Sequence, residues 1–130
     1  MDEEFKRLSY EITGAIFEVS HTLGSGFLEA VYQEAMEIEL ASRGLKIDSQ
    51  KRMNINYKGT TLKCEYIADI VVEDKIIIEL KATTGLDNIN RAQLLNYLRA
   101  SGLQYGILVN FGTPRAEIER YENKGHLESI

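Results

Sequence analysis

Residues 66–81 read Tyr66-Ile67-Ala68-Asp69-Ile70-Val71-Val72-Glu73-Asp74-Lys75-Ile76-Ile77-Ile78-Glu79-Leu80-Lys81. Two strands and a turn are legible in this stretch. Ile76 to Leu80 is a nearly continuous β-branched run, as expected of a central strand covered on both faces. Upstream, Leu62, Cys64, Tyr66, Ala68, Ile70 and Val72 alternate with other residues, which predicts one face of a longer strand. Glu73-Asp74-Lys75 is the turn between them, so these two strands should be antiparallel neighbours. Met53, Ile55 and Tyr57 alternate toward a further turn at Lys58-Gly59 and supply an earlier strand.

Helical spacing flanks this meander. Leu8, Ile12, Ala15, Ile16, Val19 and Leu23 predict a first helix, stopped by Gly24-Ser25-Gly26. A second runs from about Leu28 to Ser42, with Leu28, Val31, Ala35 and Ile38 as its expected apolar face, and Gly44 ends it. A third runs from about Asn88 to Ala100, with Ala92, Leu95 and Leu98 spaced for burial, and Gly102 closes it. Tyr105 to Asn110 follows as a strand, and Ile118 to Tyr121 reads either as an edge strand or as a helical turn. The strand–helix–strand unit over residues 76–110 should be a right-handed parallel crossover. The predicted order is α-α-β-β-β-α-β, an α/β domain with a mixed sheet flanked by helices.

Composition sets the outer limits. The chain has 130 residues, 44% of them hydrophobic, one proline and no repeat, which fits one domain over residues 1–130. The core is expected over about 8–112, with 113–130 as a C-terminal extension. One cysteine leaves no internal disulfide and points to a reducing, cytoplasmic setting. No apolar run reaches the ~20 residues of a membrane span, so no membrane partner is expected. The net charge of −5 counts against a surface that coats nucleic acid, yet a carboxylate metal site contributes to just such a balance.

The chemistry-bearing residues interrupt the apolar strands. Asp69 falls near the end of one strand of the meander. Glu79 and Lys81 fall at the end of the next, two apart and therefore on one face. Asp, Glu and Lys are rarely buried unless paired or metal-bound. Two carboxylates with the backbone carbonyl of Leu80 would make a hard oxygen site suited to Mg²⁺ or Mn²⁺. A structural Glu79–Lys81 ion pair would account for the same residues. On the second helix Glu29 shares a stripe with Met36 and Leu40, with Tyr32 as its i+3 neighbour, although a helix dipole by itself explains a glutamate near a helix start. On the third helix Gln93 and Tyr97 form an i, i+4 pair.

These residues carry a family resemblance. Gly26-Phe27-Leu28-Glu29-Ala30-Val31-Tyr32 matches the G-x-x-E-x-x-Y signature of the GxxExxY family, a branch of the PD-(D/E)XK nuclease superfamily with a restriction-endonuclease-like core. Asp69 and Glu79-Leu80-Lys81 stand where its D…E-x-K motif falls, and Gln93-Leu94-Leu95-Asn96-Tyr97 resembles the Q-x-x-x-Y motif of RecB-like nucleases. Ala68 stands where the superfamily's name has proline. The resemblance covers about residues 8 to 112. It implies catalytic roles for Asp69, Glu79, Lys81, Glu29, Gln93 and Tyr97. Asp69, Glu79 and the Leu80 carbonyl would bind metal directly, Glu29 would be an outer or second-metal ligand, and Lys81 would handle the nucleophilic water. Gln93 and Tyr97 would position the phosphate backbone or steady the metal shell, with Tyr32 in support.

The implied function is a Mg²⁺- or Mn²⁺-dependent nuclease hydrolysing phosphodiester bonds, with DNA as the expected partner and RNA left open. A protein partner would supply specificity, or a homodimer would pair two sites to cut two strands. The alternative is a non-catalytic nucleic-acid- or protein-binding module that keeps the fold. Other residues are given ordinary roles. His21 is a helix-surface residue and His126 lies in the tail, without metal-ligand spacing between them. Cys64 is expected as a small buried hydrophobe. Lys46, Lys51, Arg52, Lys58, Lys63, Arg91 and Arg99 are expected to be solvated, with phosphate contact as the other reading. Gly24-Ser25-Gly26 lacks the Lys-Ser/Thr ending of a phosphate loop.

Overall fold

The computed structural model describes residues 2–123, so His126 lies outside the described residues. Two helices come first, α1 (Glu3–Leu23) and α2 (Glu29–Ser42). Three strands follow in meander, β1 (Ile47–Tyr57), β2 (Thr60–Val72) and β3 (Ile76–Lys81). Then come α3 (Asn88–Ser101), β4 (Tyr105–Asn110) and β5 (Glu117–Glu122). The sheet order is β1-β2-β3-β4-β5, with β3 and β4 parallel and the other neighbours antiparallel. Ile118 to Tyr121 is thus edge strand rather than helical turn. The sheet extends one strand beyond the expected order and beyond residue 112.

Local chemistry accounts for the boundaries. The Asp2 carboxylate caps α1 by accepting from Phe5 N, and Gly24 ends it with a positive φ of 71°. Asp87 and Asn90 form a reciprocal capping box on α3. Among the described residues no helix is long and apolar enough to cross a membrane.

The sheet separates two apolar clusters. On one face α1 and α2 pack Leu8, Ile12, Ile16, Tyr32, Met36 and Leu40 against Ile76, Ile78, Leu80 and Ile107. On the other, α3 places Leu94 and Leu98 against Tyr66, Val71, Ile77 and Leu108. This is the expected mixed sheet with helices on both faces.

Three sequence expectations are corrected here. On α2 the buried residues are Tyr32, Met36 and Leu40, while Leu28 and Ile38 are 79% and 69% exposed. The Tyr32 ring stacks on Phe111 at 4.6 Å, and that contact selects which stripe of α2 turns inward. On α3, Leu94 and Leu98 are buried, whereas Leu95 and Ala92 are exposed, because the cluster is entered by the i, i+4 pair. Cys64 and Leu62 are exposed. The reason is that β2 registers with β3 only over Ile70–Val72, so the outer part of the hairpin has no third strand beside it. The alternation along β2 also breaks, with Tyr66 and Ala68 in one cluster and Ile70 and Val72 in the other.

Beyond β3 the chain is held by Asn110, which is fully buried at the end of β4. Its Oδ1 accepts from Thr83 N and Gly112 N, and its Nδ2 donates to Thr83 O and Glu117 Oε1. The approach at Gly112 is so close that an added Cβ would lie 1.9 Å from Thr83 O. Gly112→Ala is therefore expected to lower stability by about 1–3 kcal/mol or more by forcing backbone apart. Equilibrium urea unfolding measures this, and an unchanged midpoint would show that the Thr83 backbone yields freely.

Candidate carboxylate site

The site forms where β2 and β3 part. Their backbone ladder runs from Val72↔Ile76 to Ile70↔Ile78 and goes no further. At the next position the side chains take over. Leu80 N donates to Asp69 Oδ2 at 2.7 Å, and Asp69 N donates to Glu79 Oε2 at 3.0 Å. Each carboxylate thereby satisfies a backbone N–H that the splayed ladder would leave without a partner. Glu79 is 7% exposed and Asp69 half-buried.

Burial is the largest influence on both groups. It pushes the Glu79 carboxyl up to about 7, with the Asp69 charge adding to the effect. Asp69 N–H, the Tyr66 hydroxyl and Lys81 act in the opposite direction. Burial likewise raises Asp69, against the Leu80 N–H, Lys81 and Gln50. Glu29, in the first turn of α2, is raised by burial and then by Asp69, with Lys81 opposing. A helix N-terminus acting alone would lower that group. Glu29 thus lies close enough to Asp69 for their charges to oppose one another.

Lys81 lies within electrostatic reach of all three carboxylates. Among the described residues, however, no ion pair joins it to Glu79 within 4 Å. The simple Glu79–Lys81 bridge is thus replaced by a carboxylate–amide arrangement, because Glu79 turns toward Asp69 N.

The G-x-x-E-x-x-Y segment has a mechanical reading. Gly26 takes a φ of 111°, which an L side chain adopts only under strain. The Tyr32 hydroxyl donates to Gly24 O and accepts from Phe27 N, pinning the loop to the helix it precedes. Tyr32 is fully buried, so its part is to set the entry of α2 and with it the place of Glu29.

Glu29 then lines a cleft of about 460 Å³ with Ala30, Gln33, Glu34, Gln50 and Asp69. The two glutamines are site residues that sequence reasoning missed. Gln33 Nε2 donates to Asp69 O at 2.8 Å and to Glu37 Oε2 at 2.7 Å, joining α2 to the strand break. Its i+4 spacing from Glu29 was a usable signal. Gln50, with a φ of 51°, lies opposite Asp69 between the pairs Ser49↔Ile70 and Lys51↔Ala68, and nothing in its sequence neighbourhood marks it.

The Q-x-x-x-Y pair divides. The Tyr97 ring stacks on Tyr66 at 3.3 Å between centroids, and Tyr66 in turn adjoins Glu79. Gln93 is exposed and makes no hydrogen bond to described residues. Of the basic residues, Lys46, Lys51, Arg52 and Arg91 are ion-paired to acidic neighbours. Lys58, Lys63 and Arg99 form no ion pair among the described residues.

The donor chemistry fits a hard divalent cation. Two half-buried to buried carboxylates with raised proton affinity, and a third at the cleft wall, hold more negative charge than the surroundings stabilise. Among the described residues, no group of three or more His, Cys, Asp and Glu side chains is already gathered as a cage.

A mixed sheet between helix layers, with acidic and lysine side chains at the splayed ends of two neighbouring strands, defines the restriction-endonuclease-like α/β class. This chain belongs to the PD-(D/E)XK nuclease superfamily, whose model matches residues 6–121. It is similar to the crystal structure of SSO0001, at 25% identity and a TM-score of 0.59, covering 95% of this chain and 65% of that one. The chain thus spans somewhat under two thirds of that structure. It also resembles the fold of the alkaline exonuclease LHK-Exo from Laribacter hongkongensis, at 13% identity and a TM-score of 0.52, covering 95% of this chain and 73% of that one. No curated protein sequence matched.

The raised Glu79 carboxyl makes a prediction for metal-free protein. Its folded form binds the proton more tightly than an unfolded glutamate near 4.5, so stability is lost as pH rises from about 4.5 to about 7. In EDTA, Glu79→Gln should remove much of this slope and gain on the order of 2 kcal/mol over the parent at pH 8. Part of the slope should persist, because Asp69 and Glu29 are shifted the same way. Thermal unfolding across that range would refute the assignment if the two proteins ran parallel.

Proposed function

We propose that this chain is a divalent-metal-dependent nuclease that hydrolyses phosphodiester bonds, with Asp69, Glu79 and Lys81 at its centre. The observation that carries the reading is the reciprocal carboxylate–amide pair of Asp69 and Glu79. Neither side chain is needed for backbone pairing in an ordinary sheet, and both are kept in surroundings that penalise their charge. Such a penalty is what a cation would offset.

In this reading Asp69, Glu79 and the Leu80 carbonyl hold Mg²⁺ or Mn²⁺, the metals suited to hard oxygen donors. Bound there, the cation supplies Lewis-acid polarisation and a water of lowered pKa. The remaining work belongs to the protein. Lys81 orients the attacking water at its Nζ and offsets negative charge that develops on the phosphate. Glu29 adds an outer or second-metal ligand from α2, across the cleft from Gln50. Gln93, exposed on α3, is left for the nucleic-acid backbone. DNA is the proposed substrate, supported by the likeness of the α3 motif to RecB-like nucleases.

Isothermal titration with Mn²⁺ tests the site directly. The parent protein should bind, and the Asp69→Ala/Glu79→Ala double variant should not. Lys81→Ala should keep the metal yet lose roughly 10²-fold or more in cleavage of DNA, the scale of a general acid–base or charge-stabilising group. Metal binding that survives the double variant would place the site elsewhere. A parent protein that shifts DNA without metal and is indifferent to Lys81→Ala would be a binding module.

A further inference from the structure

The Tyr66 hydroxyl is the one buried side-chain polar atom among the described residues with no hydrogen-bond partner. The residue is 6% exposed, and leaving such a group without a full hydrogen bond is unfavourable. Packing alone does not explain its presence, since phenylalanine would fill the same space without that cost. Tyr66 lies on β2 three residues before Asp69, in the α3-side cluster with Ile77, and its hydroxyl lies near enough to the Glu79 carboxylate to favour the charged form while falling short of full hydrogen-bond geometry. The Tyr97 ring lies flat against it, 14° from parallel. Tyr97 thus reaches the site through another side chain.

We propose that Tyr66 is a positioning residue whose hydroxyl donates to Glu79 when the site is loaded, and that Tyr97 acts through it by stacking. The inference rests on the reading of Glu79 as a metal ligand. Glu79 has two oxygens, and Oε2 is engaged by Asp69 N. A small rotation of either side chain lets the phenol fix the carboxylate from the opposite side, an orienting role that ligand-bound carboxylates commonly require. The α3 motif then has a division of labour. Gln93 stays at the surface, and the Tyr97 ring works as a flat support for Tyr66.

Four variants of the full chain test this: Tyr66→Phe, Tyr97→Phe, Tyr97→Leu and the double Tyr66→Phe/Tyr97→Leu. Mn²⁺ affinity by titration and thermal stability in EDTA are measured beside DNA cleavage. Tyr66→Phe should weaken Mn²⁺ binding roughly tenfold or more, the usual effect of losing a group that orients a ligand. Its stability in EDTA should be unchanged or higher, and its loss of cleavage should fall on kcat rather than KM. Tyr97→Phe should keep the parental Mn²⁺ affinity, because the stacking ring remains. Tyr97→Leu should lose Mn²⁺ affinity as Tyr66→Phe does, and the double variant should be no worse than Tyr66→Phe, because both changes act through one hydroxyl. A Tyr66→Phe protein with parental Mn²⁺ affinity overturns the proposal, as does a Tyr97→Phe protein whose Mn²⁺ affinity falls as far as that of Tyr97→Leu. Should the parent itself bind no Mn²⁺ and cut no DNA, the metal-site reading fails and this inference fails with it. Parental binding with unaffected variants removes the inference alone.

Discussion

The end of the β2–β3 ladder is the constraint on which the site depends. A sheet that stops pairing leaves backbone N–H groups exposed to an apolar interior, and an unpartnered amide there costs as much as a lost hydrogen bond. Asp69 and Glu79 resolve this locally, each accepting from a backbone amide across the gap. The same act draws two carboxylates out of water and toward one another. Stability and the proposed function therefore pull on the same atoms. Satisfying the backbone creates a concentration of negative charge that the fold alone leaves only partly compensated.

Lys81 supplies part of the compensation, acting on Asp69, Glu79 and Glu29 together rather than closing on one of them. A lysine locked in a tight bridge would be a structural group. One held near three acids, with no ion pair among the described residues, suits the water-orienting role proposed for it. The fully buried Asn110 network fixes the chain just beyond it, and Phe111 N donates to the Lys81 carbonyl at 2.8 Å. The backbone of Lys81 is thus anchored at the end of β3.

The two helix motifs flank this centre from opposite faces of the sheet. On α2, Tyr32 is mechanical and Glu29 electrostatic, with Gln33 clamping the helix to the Asp69 carbonyl. On α3 the contact runs from Tyr97 to Tyr66, a residue of the sheet itself. In both cases an aromatic ring settles where the helix sits, since large flat side chains contribute most to burial and tolerate few orientations.

Much was legible in the residues alone. Periodicity separated three helices from the strands, because a 3.6-residue repeat and a two-residue repeat leave different traces in local sequence. The spacing of Glu79 and Lys81 put them on one face for the same reason, and the acidic interruption of an isoleucine run marked the candidate site. What only the tertiary structure decided depends on which neighbours arrive. Two apolar stripes compete on α2, and Phe111, some eighty residues later, chose Tyr32, Met36 and Leu40 over Leu28 and Ile38. Cys64 lies outside because β3 is too short to reach it. Gln50, Gln33 and Tyr66 entered the site through contacts that no local pattern encodes. Local repeats determine what an element is, whereas the partners it meets determine which of its side chains face the chemistry.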